Sequence, residues 1–252
     1  LTWVDRTGKK IGTVGPVGAY SIRDLSPDGQ RLAVMRLDPK LFTSDIWLFD
    51  LVRGTETRFT VDPADDSFPK WSPDGSRIVF SATVNSDAIN GGTADVYVLS
   101  LADNAVKKIV ALAGPDNAPH WSPDGKQIAW GPGDHEIATA PIDTDAAEPS
   151  VGERRVQIKD DKLKIYHVDW SPDSRFLSIS RGPNGKGDPT KPGTFTSACE
   201  IVGVHAAGWN LLAVSAERAG VLDLNTADEA LFAILTTNGA SNKESAWFKA
   251  GR

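Results

Sequence analysis

The chain has 252 residues, 40% hydrophobic and 24% charged, enough to bury a sizeable core and too apolar to remain unfolded. Its net charge of −6 argues against a nucleic-acid surface or an anionic membrane, and its longest apolar stretch, residues 201–216, is broken by His205 and Asn210, so no membrane insertion is expected. Cys199 is the only cysteine, which excludes an internal disulfide scaffold.

The first predicted elements are two short strands, LTWVD (1–5) and GKKIGTV (8–14). No Met and no charged-then-apolar leader precede them, as in a mature or partial product. LSPDG (25–29) follows and predicts a tight turn. Ser hydrogen-bonds the backbone, Pro sets φ at the second position, Asp suits the third, and Gly takes the left-handed conformation. Apolar runs flank it, so the segment reads as a hairpin. The strands RLAVMR, SDIWLFDL and ETRFTV come next.

The same unit then recurs. WSPDG (71–75) leads into RIVFSA, ADVYVLSL and AVKKIV. WSPDG (121–125) leads into KQIAWG, EIATAPID and RRVQI, and WSPDS (170–174) into RFLSIS, GWNLLAVSA and FAILTT. The turn serines, Ser26, Ser72, Ser122 and Ser171, are 46, 50 and 49 residues apart. AWFKAG (246–251) keeps Trp247 and Gly251 of a fifth copy. Short strands repeating at this period imply a β-propeller, one four-stranded blade per repeat. No stretch has a helical period.

The expected architecture is one all-β domain over 1–252, with blades at about 20–65, 66–115, 116–165 and 166–241. Residues 242–252 and 1–19 share the fifth. Joining NKESAWF (242–248) to the N-terminal strands removes two open sheet edges. One strand of that blade is missing, so the ring closes on three strands or the chain is part of a larger propeller. The fourth unit carries extra sequence, RGPNGKGDPTKPGTF (181–195) and ERAGVLDLNTADEA (217–230), read as long loops.

The units W-S-P-D-G with Asp45–Leu48 and Asp95–Val98 resemble the TolB-type β-propeller repeat over nearly the whole chain. The resemblance implies a bacterial, periplasmic or extracytoplasmic binding scaffold. Related propellers also gate serine peptidases or act as polysaccharide lyases, so the fold does not fix the chemistry.

Inner strands line a propeller's channel and alternate faces. With each Trp packed between blades, the residues one and three before it should face the channel mouth. The first set is Asp24, Lys70, His120, Asp169 and Ala246; the second is Ile22, Phe68, Ala118, His167 and Glu244. Asp24, Lys70, His120, His167, Asp169 and Glu244 are the candidate ligand-binding set. His120, His167 and Asp169 would serve as ligands for a divalent metal ion in the channel. The turn aspartates Asp28, Asp74, Asp124 and Asp173 need only their turn role, and His135 and His205 read as ordinary loop-end histidines. GPNGKGD (182–188) fails the phosphate-loop spacing, and DLNTADE (223–229) lacks the Gly and distal Glu of a calcium loop. No nucleophile elbow exists, and Cys199 has no visible base.

Three functions follow. The first is a non-catalytic module docking a protein or peptide, with exposed aromatics such as Phe42, Tyr166 or Phe195 as anchors. The second is a metal-dependent lyase or hydrolase acting on a carbohydrate-like substrate at the channel through His120, His167, Asp169 and Asp24. The third is a structural fragment or engineered ring without activity, prone to self-association through its incomplete blade. No cofactor is expected for the first reading; the second adds a divalent metal ion in the central channel.

Overall fold

The computed structural model describes residues 1–5, 7–83, 93–111, 114–143, 149–182, 210–228 and 231–234. Among them every regular element is a β-strand. The chain divides into two compact units, Leu1–Ala111 and Leu112–Arg252.

In the first unit, β1 (Thr2–Val4) and β2 (Lys10–Thr13) pair as a two-stranded antiparallel ribbon. The first blade is the antiparallel meander of β3 (Tyr20–Leu25), β4 (Arg31–Leu37), β5 (Ser44–Asp50) and β6 (Thr55–Arg58). The second is β7 (Asp65–Trp71), β8 (Arg77–Thr83), β9 (Ala94–Ser100) and β10 (Val106–Val110).

In the second unit, the third blade runs β11 (Asp116–Trp121), β12 (Gln127–Pro132), β13 (Glu136–Asp143) and β15 (Arg155–Lys159), with β14 (Ser150–Val151) on the far end of β13. The fourth blade runs β16 (Lys164–Trp170), β17 (Phe176–Gly182), β18 (Asn210–Ser215) and β20 (Phe232–Ile234). β19 (Leu222–Asp223), within the stretch expected to be loop, pairs in parallel with β15 through Ile158 and Leu222. Parallel pairing between segments this far apart leaves no local signature, and Leu222 is buried there.

The middle strands read as continuous apolar runs because both of their faces are covered. In the first unit Ala33, Ile46 and Leu48 of the first blade pack on Trp71, Ile78, Phe80 and Leu99 of the second. In the second unit Ala129, Ile137 and Ile158 pack on Ile165, Trp170, Leu177 and Ile179. The repeat Trp is therefore an inter-blade wedge, and replacing Trp71 by Ala would remove about 3–5 kcal/mol.

All four turns form as the sequence predicts. Gly29, Gly75 and Gly125 have φ of 72°, 70° and 74°, and Ser174 takes φ 61° in their place. In each turn the Ser hydroxyl donates to the turn aspartate, at 2.5–2.6 Å. The same oxygen accepts the N–H that opens the next strand at 2.9 Å. The Ser26 hydroxyl, then the Gln30 N–H, hold the Asp28 carboxyl below the usual range, and Ser171 and Arg175 do the same for Asp173. These carboxylates are turn components.

The ribbon is fastened at its base. Leu1 and Val14 pack against Leu32, Val34 and Phe49, while Trp3, Val4 and Ile11 are exposed. The strand expected to complete this blade, residues 242–248 with Trp247, lies outside the described residues, as do Gly251, Phe195, Cys199 and His205.

Candidate functional site

The residues directly before the WSPDG-type turns, Asp24 before Leu25 and the others before Trp, pair across blade boundaries. In the first unit Lys70 Nζ stands 3.5 Å from Asp24 Oδ1. Asp24 Oδ2 accepts the Trp71 N–H at 2.8 Å, and its carbonyl accepts the Trp71 indole N–H at 3.1 Å. In the second unit His120 Nδ1 lies 3.3 Å from Asp169 Oδ1, which also accepts the Trp170 N–H at 2.9 Å. Glu244 and Ala246 lie outside the described residues.

The residues three before each Trp do not follow that geometry. Phe68, Ala118 and His167 have φ of 55°, 51° and 50°, left-handed values that side-chain-bearing residues rarely adopt. Each opens a β-bulge. Register breaks between Ser67 and Lys70, between Asn117 and His120, and between Tyr166 and Asp169, and the first blade breaks between Ser21 and Arg23, around Ile22. At each bulge two residues of the inner strand oppose one residue of its neighbour. On β16 His167 and Asp169 are half-buried and flank the buried Val168. Among the described residues no group of three or more His, Cys, Asp or Glu side chains is disposed to hold a metal ion.

His135, Asp223, Asp45 and Asp95 make structural contacts. His135 Nδ1 lies 2.7 Å from the Asp160 carbonyl oxygen, which fixes the proton on that nitrogen. Asp223 accepts the backbone and side-chain N–H groups of Asn225 at 3.0 and 2.9 Å and pairs with Lys159 at 3.0 Å. Lys159, then Asn225, pull its carboxyl down to about 2. The motif aspartates Asp45 and Asp95 tie the third strand of a blade to the fourth, through Arg58 at 2.8 Å and Lys108 at 2.7 Å.

A different edge collects exposed apolar groups. β4 and β6 run the same way, so the β4–β5 loop, the segment after β6 and the segment before β3 all emerge at one end of the first blade. Val17, Leu41, Phe42 and Val61 project there, and Phe42 is 79% exposed. Phe42 also has φ 56°. Its loop is clamped: Asp38 N–H donates to the Thr43 carbonyl at 2.8 Å, and Phe42 N–H to the Asp38 carbonyl at 2.9 Å. The Asp38 carboxylate accepts the Lys40 and Leu41 N–H groups at 2.7 and 3.1 Å, which hold it below the usual carboxylate range. A large aromatic is thus held rigidly in a strained conformation while facing water. Of the three expected anchors, it is the one whose side chain the structure describes. Its loop position was legible in the sequence, whereas its backbone conformation carried no signal.

Among known proteins, the family described as TolB beta propeller domain matches residues 16–149, more than half of the chain. TolB from Acinetobacter baumannii has a TM-score of 0.59 at 19% identity, over 87% of this chain and 44% of that one. A protein assigned as TolB from Agrobacterium tumefaciens has a TM-score of 0.61 at 17% identity, over 84% of this chain and 67% of that one. Hydrazine synthase from Kuenenia stuttgartiensis has a TM-score of 0.54 at 20% identity, over 86% and 56%. This chain therefore spans less than half of the A. baumannii protein. At these identities the likeness shows the fold, an all-β propeller.

Proposed function

Because the chain belongs to the TolB β-propeller domain family, we propose that it is a non-catalytic binding module that docks a protein or peptide at the end of its first blade. Phe42 carries this reading. An aromatic side chain 79% exposed stabilises no core, and its left-handed backbone is held by four hydrogen bonds from or to Asp38 and its neighbours. Strain retained at an exposed aromatic is expected where a side chain is pre-positioned for a partner. Leu41, Val17 and Val61 supply apolar area at the same edge, and Asp38, Lys40 and Asp62 give it a polar rim.

The family also supports placement outside the cytoplasm of a bacterium, in the periplasm or beyond. Among the described residues no helix is long and apolar enough to cross a membrane. Fractionation of cells expressing the full-length gene checks that placement.

The docking surface is tested with peptides selected from a display library on the purified protein and titrated against wild type and Phe42→Ala. A loss of about tenfold or more in affinity is expected for an anchor. Selected peptides that bind wild type and Phe42→Ala equally would overturn the reading.

A further inference from the structure

Asp66, five residues before Trp71 at the start of β7, is fully buried, and neither of its carboxylate oxygens has a well-formed hydrogen bond. Such a group is rare in a folded protein, because an ionised carboxylate without donors is strongly destabilised by burial. The repeat supplies an internal control. Asp116 holds the same place in β11 and is also fully buried, but it accepts the indole N–H of Trp130 at 2.9 Å. Strand register is the same in both blades: Asp66 faces Ala82 as Asp116 faces Pro132, and Phe80 and Trp130 each oppose the bulge. The second blade has therefore kept the acid and lost the indole donor, because Phe80 stands where Trp130 would be.

The surroundings deepen the problem. Asp45 on β5, Asp62 in the segment leading into β7 and Asp65 at the first position of β7 add like charge. Arg58 on β6, the cation among these groups, is bound to Asp45 at 2.8 Å. The Thr60 hydroxyl accepts the Ile46 N–H at 2.9 Å and can still turn its O–H toward Asp66, which favours the ionised form, but burial outweighs it. We propose that Asp66 is a proton-binding site: with its proton it locks the junction between the first and second blades, and losing the proton loosens that junction. The segment it would loosen is the one clipped to β5 by Phe59 N–H and Thr60 N–H to the Ile46 carbonyl, and by Ser44 N–H to Asp65. Val61 lies in the same segment, so the docking edge shifts with it, although the proton site does not depend on that edge having a partner.

Burial, followed by the neighbouring carboxylates, pushes the Asp66 carboxyl up to about 7. In the unfolded chain the group titrates near 4, about the value of an isolated aspartate. Between those two values the folded chain keeps a proton that the unfolded chain gives up. Stability from this group is therefore intact in acid, falls as pH rises through that window, and stops falling once the folded carboxyl ionises.

The test compares melting temperatures of wild type and Asp66→Asn from about pH 5 to about pH 8.5. Asparagine cannot ionise, so the variant should melt several degrees above wild type at the alkaline end, with the gap narrowing steadily toward acid. A gap that is the same at both ends overturns the proposal. Should Asp66→Asn fail to fold, two measurements on other proteins decide. In wild type, the hydrogen-exchange protection of Ser44, Ile46, Phe59 and Thr60 should fall between about pH 6 and pH 8 after correction for intrinsic exchange, while Trp130 and its strand neighbours stay constant. In Phe80→Trp, which restores the indole donor, that fall should be reduced. Protection that is constant in wild type, or a fall that Phe80→Trp leaves unchanged, refutes the site.

Discussion

His120 Nδ1 in the third blade lies 3.3 Å from Asp169 Oδ1 in the fourth, the reverse of the first unit, where Asp24 in the earlier blade meets Lys70 in the later one. The charges swap but one feature is common. In both units a carboxylate accepts the backbone N–H of the later tryptophan, from Asp24 to Trp71 and from Asp169 to Trp170. Capping this N–H, where the inner strand turns into the SPDG loop, gives Asp24 and Asp169 a structural role.

Asp169→Asn keeps an oxygen for the Trp170 N–H but loses the attraction to a protonated imidazole. A partly buried pair of this kind contributes about 1 kcal/mol, and Asp169→Ala, which also removes the acceptor, should lose about 1 kcal/mol more. Urea unfolding in mild acid at low salt resolves the two. Equal losses for both variants would mean that the cap contributes nothing.

Ser174→Gly weighs two effects against each other. Ser174 has φ 61°, a conformation that glycine adopts without strain, which favours the variant by about 1 kcal/mol. The Ser174 hydroxyl also accepts the Asp124 N–H of the neighbouring turn at 3.2 Å, a long bond whose loss removes about 0.5 kcal/mol. A small net stabilisation is expected in thermal unfolding. A clear loss of stability would show that the turn-to-turn hydrogen bond outweighs the backbone strain.

Gly15→Ala should be among the more damaging single-methyl additions. Gly15 has φ 67°, and a Cβ there would come within 2.3 Å of the Phe49 ring, which is itself buried. Left-handed strain of about 1–2 kcal/mol adds to overpacking of about 1–3 kcal/mol. Phe49→Leu in the same background should recover part of the loss in a urea titration. If Gly15→Ala unfolds at the wild-type midpoint, the close approach of the ribbon to the first blade is wrong.

The blades were legible because their information is local and repeated. Each SPDG turn names its own conformation, and each apolar run its own strand. The bulges at Phe68, Ala118 and His167 were not legible, since no residue type marks a left-handed backbone at a bulky side chain. That one hidden residue per inner strand shifts its register against the neighbouring strand. Asp66 was legible in principle: aligning the second repeat on the third sets Phe80 against Trp130 and leaves one aspartate without its donor. The pairing of β19 with β15 joins segments more than 60 residues apart, and no local pattern announces it.

Phe42 separates stability from binding. Its side chain is 79% exposed, so Phe42→Ala removes almost no buried area and should leave the melting temperature nearly unchanged. Phe42→Gly also relaxes the φ of 56° and should stabilise the fold by about 0.5–1 kcal/mol relative to Phe42→Ala. Both variants should lose the affinity of any peptide that uses the end of the first blade. Stability and affinity therefore move in opposite directions in Phe42→Gly, the pattern expected of a residue kept for a partner at the expense of the fold. Scanning calorimetry and peptide titration on the same samples check it. If Phe42→Ala melts well below wild type, the aromatic ring is packed in solution, and its role is to hold the Asp38–Thr43 loop together.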